Sequence, residues 1–455
     1  MDSKLLIKME FCKRLSKCLD LLGYNQEMID FRREKNTQLD DIHNITYPIP
    51  VITSGGKAEG TALYFESDID RLFILKGMTC VNPSLSCSSH TVFHIDRLNC
   101  SPGYARLKIV QANSSLEQNQ LKLENGYVMN DFSIGNPNTT DPMFDVNGTI
   151  ITKQDRIGPA ERYGNDFINY DFVVGMVCIC PDLIEKWIQR ERKYDWPDHN
   201  LVHQISSLEG HIVAVSDKGS MYPLTEWRIC YTKAEIMLVY SFTESQAKLY
   251  MLLKLMAKSV LKPLCPAMSS YIMKNIVFWE IETNPSQHFS HASLIDRLID
   301  TIIFLKKALE SDYLESYMIS ERNLFQGRIT DMERTILLEK VDELLKEREN
   351  MFKHCTKIHR AMLKLKESPG EYSQEADKRD HIEKLVLNKN VIIKQTETAD
   401  NSKEPPIQDR LKQNEKFIHY EKELHRLVVP DESELLKSDH NLEEVYRHRL
   451  FDILS

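Results

Sequence analysis

The stretch SGGKAEGTALYFESDIDRLFIL, residues 54–75, decides how this chain is read. Within it Asp68 and Asp70 flank a single apolar residue and lead into Leu72, Phe73, Ile74 and Leu75. Residues i and i+2 of a strand point to the same face, so the two carboxylates project together. Side by side they repel unless a cation or a proton lies between them. Magnesium suits such a pair, since it takes oxygen ligands from one or two carboxylates together with phosphate oxygens and water. Eleven residues, 57 to 67, separate the Gly55-Gly56 turn from Asp68. Glycines let backbone N–H groups approach a phosphate unobstructed, and Lys57 adds a positive charge nearby.

A third carboxylate, Asp171, opens the strand DFVVGMVCI. A charge there is costly unless it faces a pocket or has a partner. Placed beside the first strand, it would complete a three-carboxylate, two-metal site able to activate a hydroxyl and neutralise a triphosphate leaving group. An isolated Asp-x-Asp is common on surface strands, and a Gly-Gly pair is usually only a turn. Small-residue turn, strand-borne acid pair and distant strand-borne acid, in that order, form a far more specific pattern.

The rest of the composition frames a globular protein of more than one domain: 455 residues, 42% hydrophobic, 27% charged. A net charge of −9 argues against coating nucleic acid over the whole surface while leaving room for a local basic groove. The opening MDSKLLIKME lacks the apolar run of a secretory signal, and the most apolar stretch, 172–180, is too short for a membrane-spanning helix. The ten cysteines show no paired CxxC pattern and read as reduced packing thiols, so the expected compartment is the cytoplasm, with no membrane partner.

Apolar spacing over 3–35 predicts one long amphipathic helix carrying Lys4, Lys8, Lys13, Arg14 and Lys17. Strand patterns occupy 50–110, a polar Asn/Ser/Gly/Pro excursion 112–150, and helices follow from 181, with 331–366 expected to pack on the body rather than form a coiled coil. The expected organisation is an N-terminal helix 1–45, a core 46–235, a helical lobe 236–330, and a charged helical extension 331–455 with linkers near 367–380 and 396–409.

With these residues in place, the chain resembles the polymerase-beta-like nucleotidyltransferases, and within them the cyclic GMP–AMP synthase-like receptors of the Mab family. The resemblance runs from about residue 50 to 326 and rests on the segments SGGKAEG…SDIDRLFIL, KWIQRERKYDWP (186–197), EWRICY (226–231), LYMLLKLMAK (249–258), SSYIMKNIVFWE (269–280) and NLF (323–325). It implies an α/β (α+β) nucleotidyltransferase core with a twisted mixed sheet and a C-terminal helical lobe. By position, Asp68, Asp70 and Asp171 resemble the catalytic metal-binding triad, and Gly55 and Gly56 the turn that cradles the triphosphate. Arg228 matches a base contact, Lys254 and Ser270 groups near the triphosphate, and Tyr271 a base-stacking ring; Glu235 is a weaker nucleotide contact. Taken singly, Lys254 reads as a solvated helix lysine and Tyr271 as a core aromatic.

Position 56 departs from the Gly-Ser turn of many relatives. The vertebrate DNA sensor's His/Cys insertion has no counterpart in YSFTESQ (240–246), so no zinc is expected and the implied cofactor is Mg2+ or Mn2+. The implied activity joins ATP and GTP into a cyclic dinucleotide for a downstream receptor in innate immunity. A double-stranded nucleic acid, RNA included, is the candidate activator and a ligand-induced dimer a further expectation. Its footprint would combine the N-terminal helix, Arg32, Arg33, Lys248, Lys258 and Lys262. The alternatives are a catalytically inactive scaffold on the same fold and an enzyme that extends RNA or another acceptor.

Overall fold

Apolar runs within 69–81 and 169–179 give two long strands, of 13 and 11 residues. The computed structural model of the chain describes residues 3–112, 121–131, 143–144, 150–155, 160–398, 405–429 and 442–455. Most of the polar excursion expected at 112–150, and 399–404 within the second expected linker, lie outside them. The strands are β1 (Val51–Ser54), β2 (Ile69–Val81), β3 (Thr91–Asp96), β4 (Tyr104–Gln111), β5 (Leu123–Glu124), β6 (Tyr127–Val128), β7 (Met143–Phe144), β8 (Ile150–Lys153), β9 (Glu161–Gly164), β10 (Asn169–Ile179), β11 (Gly210–Val213) and β12 (Glu226–Cys230). The chain divides into two compact units, and both long strands contribute residues to each.

The first unit comprises Met1–Leu22, Gly77–Phe132 and Gly175–Pro369. Its sheet starts from the end of β2, which pairs parallel with β3, and continues antiparallel through β4, β12, β11 and the end of β10. Its helices are α1 (Ser3–Leu19), α4 (Pro181–Gln189), α5 (His199–Ser206), α6 (Thr232–Tyr240), α7 (Glu244–Met256), α8 (Ser270–Glu282), α9 (Leu294–Glu310), α10 (Asp331–Glu347) and α11 (Thr356–Glu367). α7 opens on a full capping box, Thr243 with Gln246, which satisfies its first free N–H groups. α10 opens on another, Thr330 with Glu333. α10 buries Leu337, Val341 and Leu344 and pairs Asp342 with Lys306 of α9 at 2.7 Å, so it packs on the body as its short apolar run suggested. Arg348 at φ 51° ends it, where the sequence suggested one continuous helix to 366.

The second unit comprises Gly23–Lys76, Ser133–Val174 and Gly370–Ser455. β1 pairs antiparallel with the start of β2, and β8, β9 and the start of β10 pair in antiparallel succession. Its helices are α2 (Gln26–Thr46), α3 (Gly55–Ala58), α12 (Pro369–Thr398), α13 (Ile407–Leu411), α14 (Glu415–Val428) and α15 (Leu442–Leu454). Ile168, Tyr170 and Phe172 form one hydrophobic core with Ile382, Leu385 and Val386 of α12, Leu424 and Val428 of α14, and Leu450 and Leu454 of α15. The expected core 46–235 is therefore shared between the units, and the extension 331–455 divides at residues 369 and 370.

Two local readings differ from the structure. The N-terminal segment is two helices, because Gly23 at φ 91° interrupts the run with a backbone conformation that residues other than glycine rarely adopt. Residues 367–380, expected as a linker, belong almost wholly to α11 and α12. α12 is held by polar contacts that composition does not reveal, Asn25 Nδ2 donating to Asp380 and Lys384 pairing with Glu27. A deeper one is the ion pair Arg32–Glu383 at 2.6 Å, its side chains 2% and 1% exposed. Arg32 also donates to the carbonyls of Gly23 at 2.7 Å and Gly60 at 3.3 Å. Removing one partner of such a pair leaves a buried charge uncompensated. Glu383→Ala is expected to cost about 3–5 kcal/mol, read as faster hydrogen exchange across α2 and α12, while the apolar double variant Arg32→Met/Glu383→Leu costs much less. Unchanged exchange in Glu383→Ala would contradict this account.

Candidate active site

The site is built on the turn from β1 into α3. Ser54 is paired with Asp70 across the β1–β2 ladder, so the residue after it arrives beside the Asp70 carboxylate. That residue must be glycine: Gly55 has φ +63°, and a Cβ there would fall within 3.0 Å of Asp70 Oδ2. The glycine is thus the space into which Asp70 fits.

Behind the turn, Lys57 is buried, its Nζ donating to the carbonyls of Leu63 and Tyr64 at 2.6 Å each. This corrects its expected place as a free positive charge for phosphate: it fastens the loop that leads to the acids. Arg33 Nε donates to Glu59 O at 3.0 Å, and Arg32 to Gly60, so α2 holds the same loop.

Asp68 stands one residue before β2, and Asp171 lies near the start of β10. β2 and β10 pair, and the rings of Phe73 and Phe172 meet edge-on at 5.6 Å. Arg162 lies on β9 directly opposite Asp171. Its Nε donates to Asp171 Oδ1 at 3.1 Å, and its Nη2 reaches Asp68 Oδ2 at 3.5 Å. Asn169 Nδ2 donates to Asp68 Oδ1 at 3.3 Å. The Asp171 carboxyl is pushed above the usual carboxylate range, first by burial and then by the charge of Asp68, with Arg162 opposing both.

The donor set, three half-buried carboxylates on adjoining strand ends with a glycine hollow beside one, fits Mg2+ or Mn2+. Arg162 already engages one oxygen each of Asp68 and Asp171. Among the described residues, the His/Cys/Asp/Glu group with ligand atoms all within 4.8 Å is Glu343, Glu347 and His354 of the first unit.

The other expected contacts belong to the first unit. Arg228 is half-buried on β12, opposite Tyr104 and Val213. Lys254 is half-buried on α7, and Ser270 is exposed as the first residue of α8. Tyr271 follows, its hydroxyl donating to Glu235 Oε1 at 3.3 Å, while Lys274 pairs with Glu235 Oε2 at 2.8 Å and stands 5.4 Å from the Tyr271 ring. Burial, and then the Glu235 charge, push the Tyr271 phenol up. Arg322 is buried and donates to Tyr104 Oη at 3.3 Å, on the residue that faces Arg228 across the ladder.

Sequence reasoning missed Arg162, Asn169, Lys274 and Arg322. For Arg162 the signal is the β9–β10 register, invisible before the pairing is known. The expected duplex footprint also shrinks. Lys248 is 1% exposed and bound to Asp20 and Glu244 at 2.7 Å each. Arg32 and Arg33 are buried, and Lys8 pairs with Asp296 at 2.5 Å, whereas Lys13, Arg14, Lys17, Lys258 and Lys262 are exposed.

The fold and site define a mixed α/β protein with strand-borne acids and a helical region following the sheet. Residues 245–343 match the family model of the Mab-21 protein HhH/H2TH-like domain. The match runs from α7 into α10 and takes in Lys254, Ser270 and Tyr271. No helix among the described residues is long and apolar enough to cross a membrane.

Gly55→Ala is expected to destabilise the second unit by about 1–3 kcal/mol, from the left-handed φ and the collision with Asp70. In an Asp70→Ala background the collision is gone and the cost falls. Thermal denaturation of the four-protein cycle measures this coupling, and strict additivity would contradict the packing described.

Proposed function

We propose that the chain is a metal-dependent nucleotidyltransferase that senses a ligand and joins ATP and GTP into a cyclic dinucleotide, a second messenger of innate immune signalling. The observation that carries the reading is the placing of three half-buried carboxylates, Asp68, Asp70 and Asp171, at the starts of the paired strands β2 and β10, with Asp70 packed on the Gly55 turn. The match to the Mab-21 family model supports the same reading.

Asp68, Asp70 and Asp171 would hold Mg2+ or Mn2+, which when bound lowers the pKa of an attacking ribose hydroxyl and offsets charge on the triphosphate. Asn169 fixes one oxygen of Asp68 and so turns the other toward the site. The amides of the Gly55-Gly56 turn offer donors to a phosphate without a side chain in the way. Arg228, Lys254, Ser270 and Tyr271 of the first unit are proposed as nucleotide contacts, as the resemblance implies. Lys13, Arg14 and Lys17 form the exposed basic stripe proposed for a nucleic-acid duplex, a contact that weakens as salt rises.

A second reading, an inactive scaffold on the same fold, has one observation in its favour: the Arg162 guanidinium already bridges Asp68 and Asp171. Incubation of the full chain with labelled ATP and GTP, Mg2+ or Mn2+, and duplex DNA or RNA separates the two. The enzyme reading expects a phosphatase-resistant small product, reduced at least about a hundredfold in Asp70→Asn, since one preorganised charge is worth on the order of 10²–10³ in rate. Elongated products would point to a tailing enzyme, and no turnover with any ligand to the scaffold.

A further inference from the structure

We propose that Arg162 is a positioning residue that serves as the built-in counter-ion of the acidic site, so that a divalent metal binds only by displacing its guanidinium. The inference rests on the metal-site reading given above and adds to it a residue that controls metal affinity.

Two observations carry it. Arg162 is fixed by register: β9 and β10 place it directly across from Asp171, so its reach toward the acids follows from the ladder. Its guanidinium engages one oxygen of Asp171 and one of Asp68 through two different nitrogens, at 3.1 and 3.5 Å. Those are two of the three carboxylates a metal would need. A guanidinium presents a planar fork of N–H donors, and the carboxylate oxygens it engages are not open to a metal that takes its oxygen ligands at about 2.0–2.1 Å.

Two consequences follow. Without metal, Arg162 offsets the repulsion between Asp68 and Asp171 and keeps the strand ends together. When metal enters, the guanidinium must leave both carboxylates, and the free energy of that bridge is subtracted from metal binding. The site is thereby set to bind metal weakly on its own and better when a triphosphate brings additional oxygen ligands and an anionic partner for the released arginine.

The test is Mn2+ binding to the full chain without nucleotide, read by electron paramagnetic resonance as the fraction of free ion. Four proteins are compared: wild type, Arg162→Gln, Arg162→Lys and Asp171→Asn. The expected result is roughly tenfold tighter Mn2+ binding in Arg162→Gln, a difference of about 1.4 kcal/mol. Arg162→Lys keeps the charge and is expected to stay close to wild type, and Asp171→Asn to bind more weakly than any of the others. A purely structural role for Arg162 would weaken binding on its removal, the opposite sign. Equal or weaker binding in Arg162→Gln, with wild type binding through Asp171, would overturn this inference and leave the metal site standing. No Mn2+ binding by wild type or Arg162→Gln would overturn the metal site and the inference together. Hydrogen exchange at β9 and β10 shows whether Arg162→Gln keeps its fold, and Arg162→Met is a second uncharged variant expected to shift affinity in the same direction.

Discussion

Like charges cannot be crowded onto neighbouring strand ends without a counter-charge. In the second unit this constraint explains each neighbour of the acids. Asp70 needs room, and position 55 is a glycine in a left-handed conformation that supplies it. Asp68 and Asp171 need a cation, and Arg162 lies in register to provide one. Asp68 also needs a fixed orientation, which Asn169 gives with a single amide hydrogen bond. The raised pKa of Asp171, driven by burial and then by Asp68, is the residual cost of the arrangement after Arg162 has opposed it.

A second, deeper charge pair supports the loop that bears these groups. Arg32 directs its guanidinium to Glu383 and to two backbone carbonyls, tying α2, the loop at Gly60 and α12 into one node. Lys57 closes the same loop from inside through Leu63 and Tyr64, and Tyr64 in turn receives a hydrogen bond from Asn390 of α12 at 2.8 Å. The C-terminal segment is therefore part of the second unit's core, packed where the loop between the glycine turn and the acid pair needs support. Breaking such a pair leaves a buried charge uncompensated, whereas replacing both partners by apolar side chains costs little.

What was legible is local: the apolar strands that follow Asp68 and carry Asp70 and Asp171, and the helical patterns that became α7, α8 and α9. The i, i+2 spacing of Asp68 and Asp70 assumed one strand, yet Asp68 stands one residue before β2. What escaped depends on partners remote in sequence. Arg162 becomes meaningful only through the β9–β10 register. Lys248 reads as a solvated lysine until Asp20 and Glu244 surround it. Residues 367–380 read as a linker because their composition is polar, yet Asn25 and Glu27 supply the contacts that hold that helix. Gly23 breaks an otherwise continuous helical pattern through a backbone angle that periodicity does not register.

The central claim is that Asp68, Asp70 and Asp171 form a metal-dependent triphosphate site, and calorimetric titration of the full chain with ATP tests it most directly. The account predicts that ATP binds in the presence of Mg2+ or Mn2+, that binding is lost when the metal is chelated, and that Asp171→Asn abolishes it without unfolding the chain. ATP that binds equally well with the metal chelated, or that does not bind at any metal concentration, would contradict it.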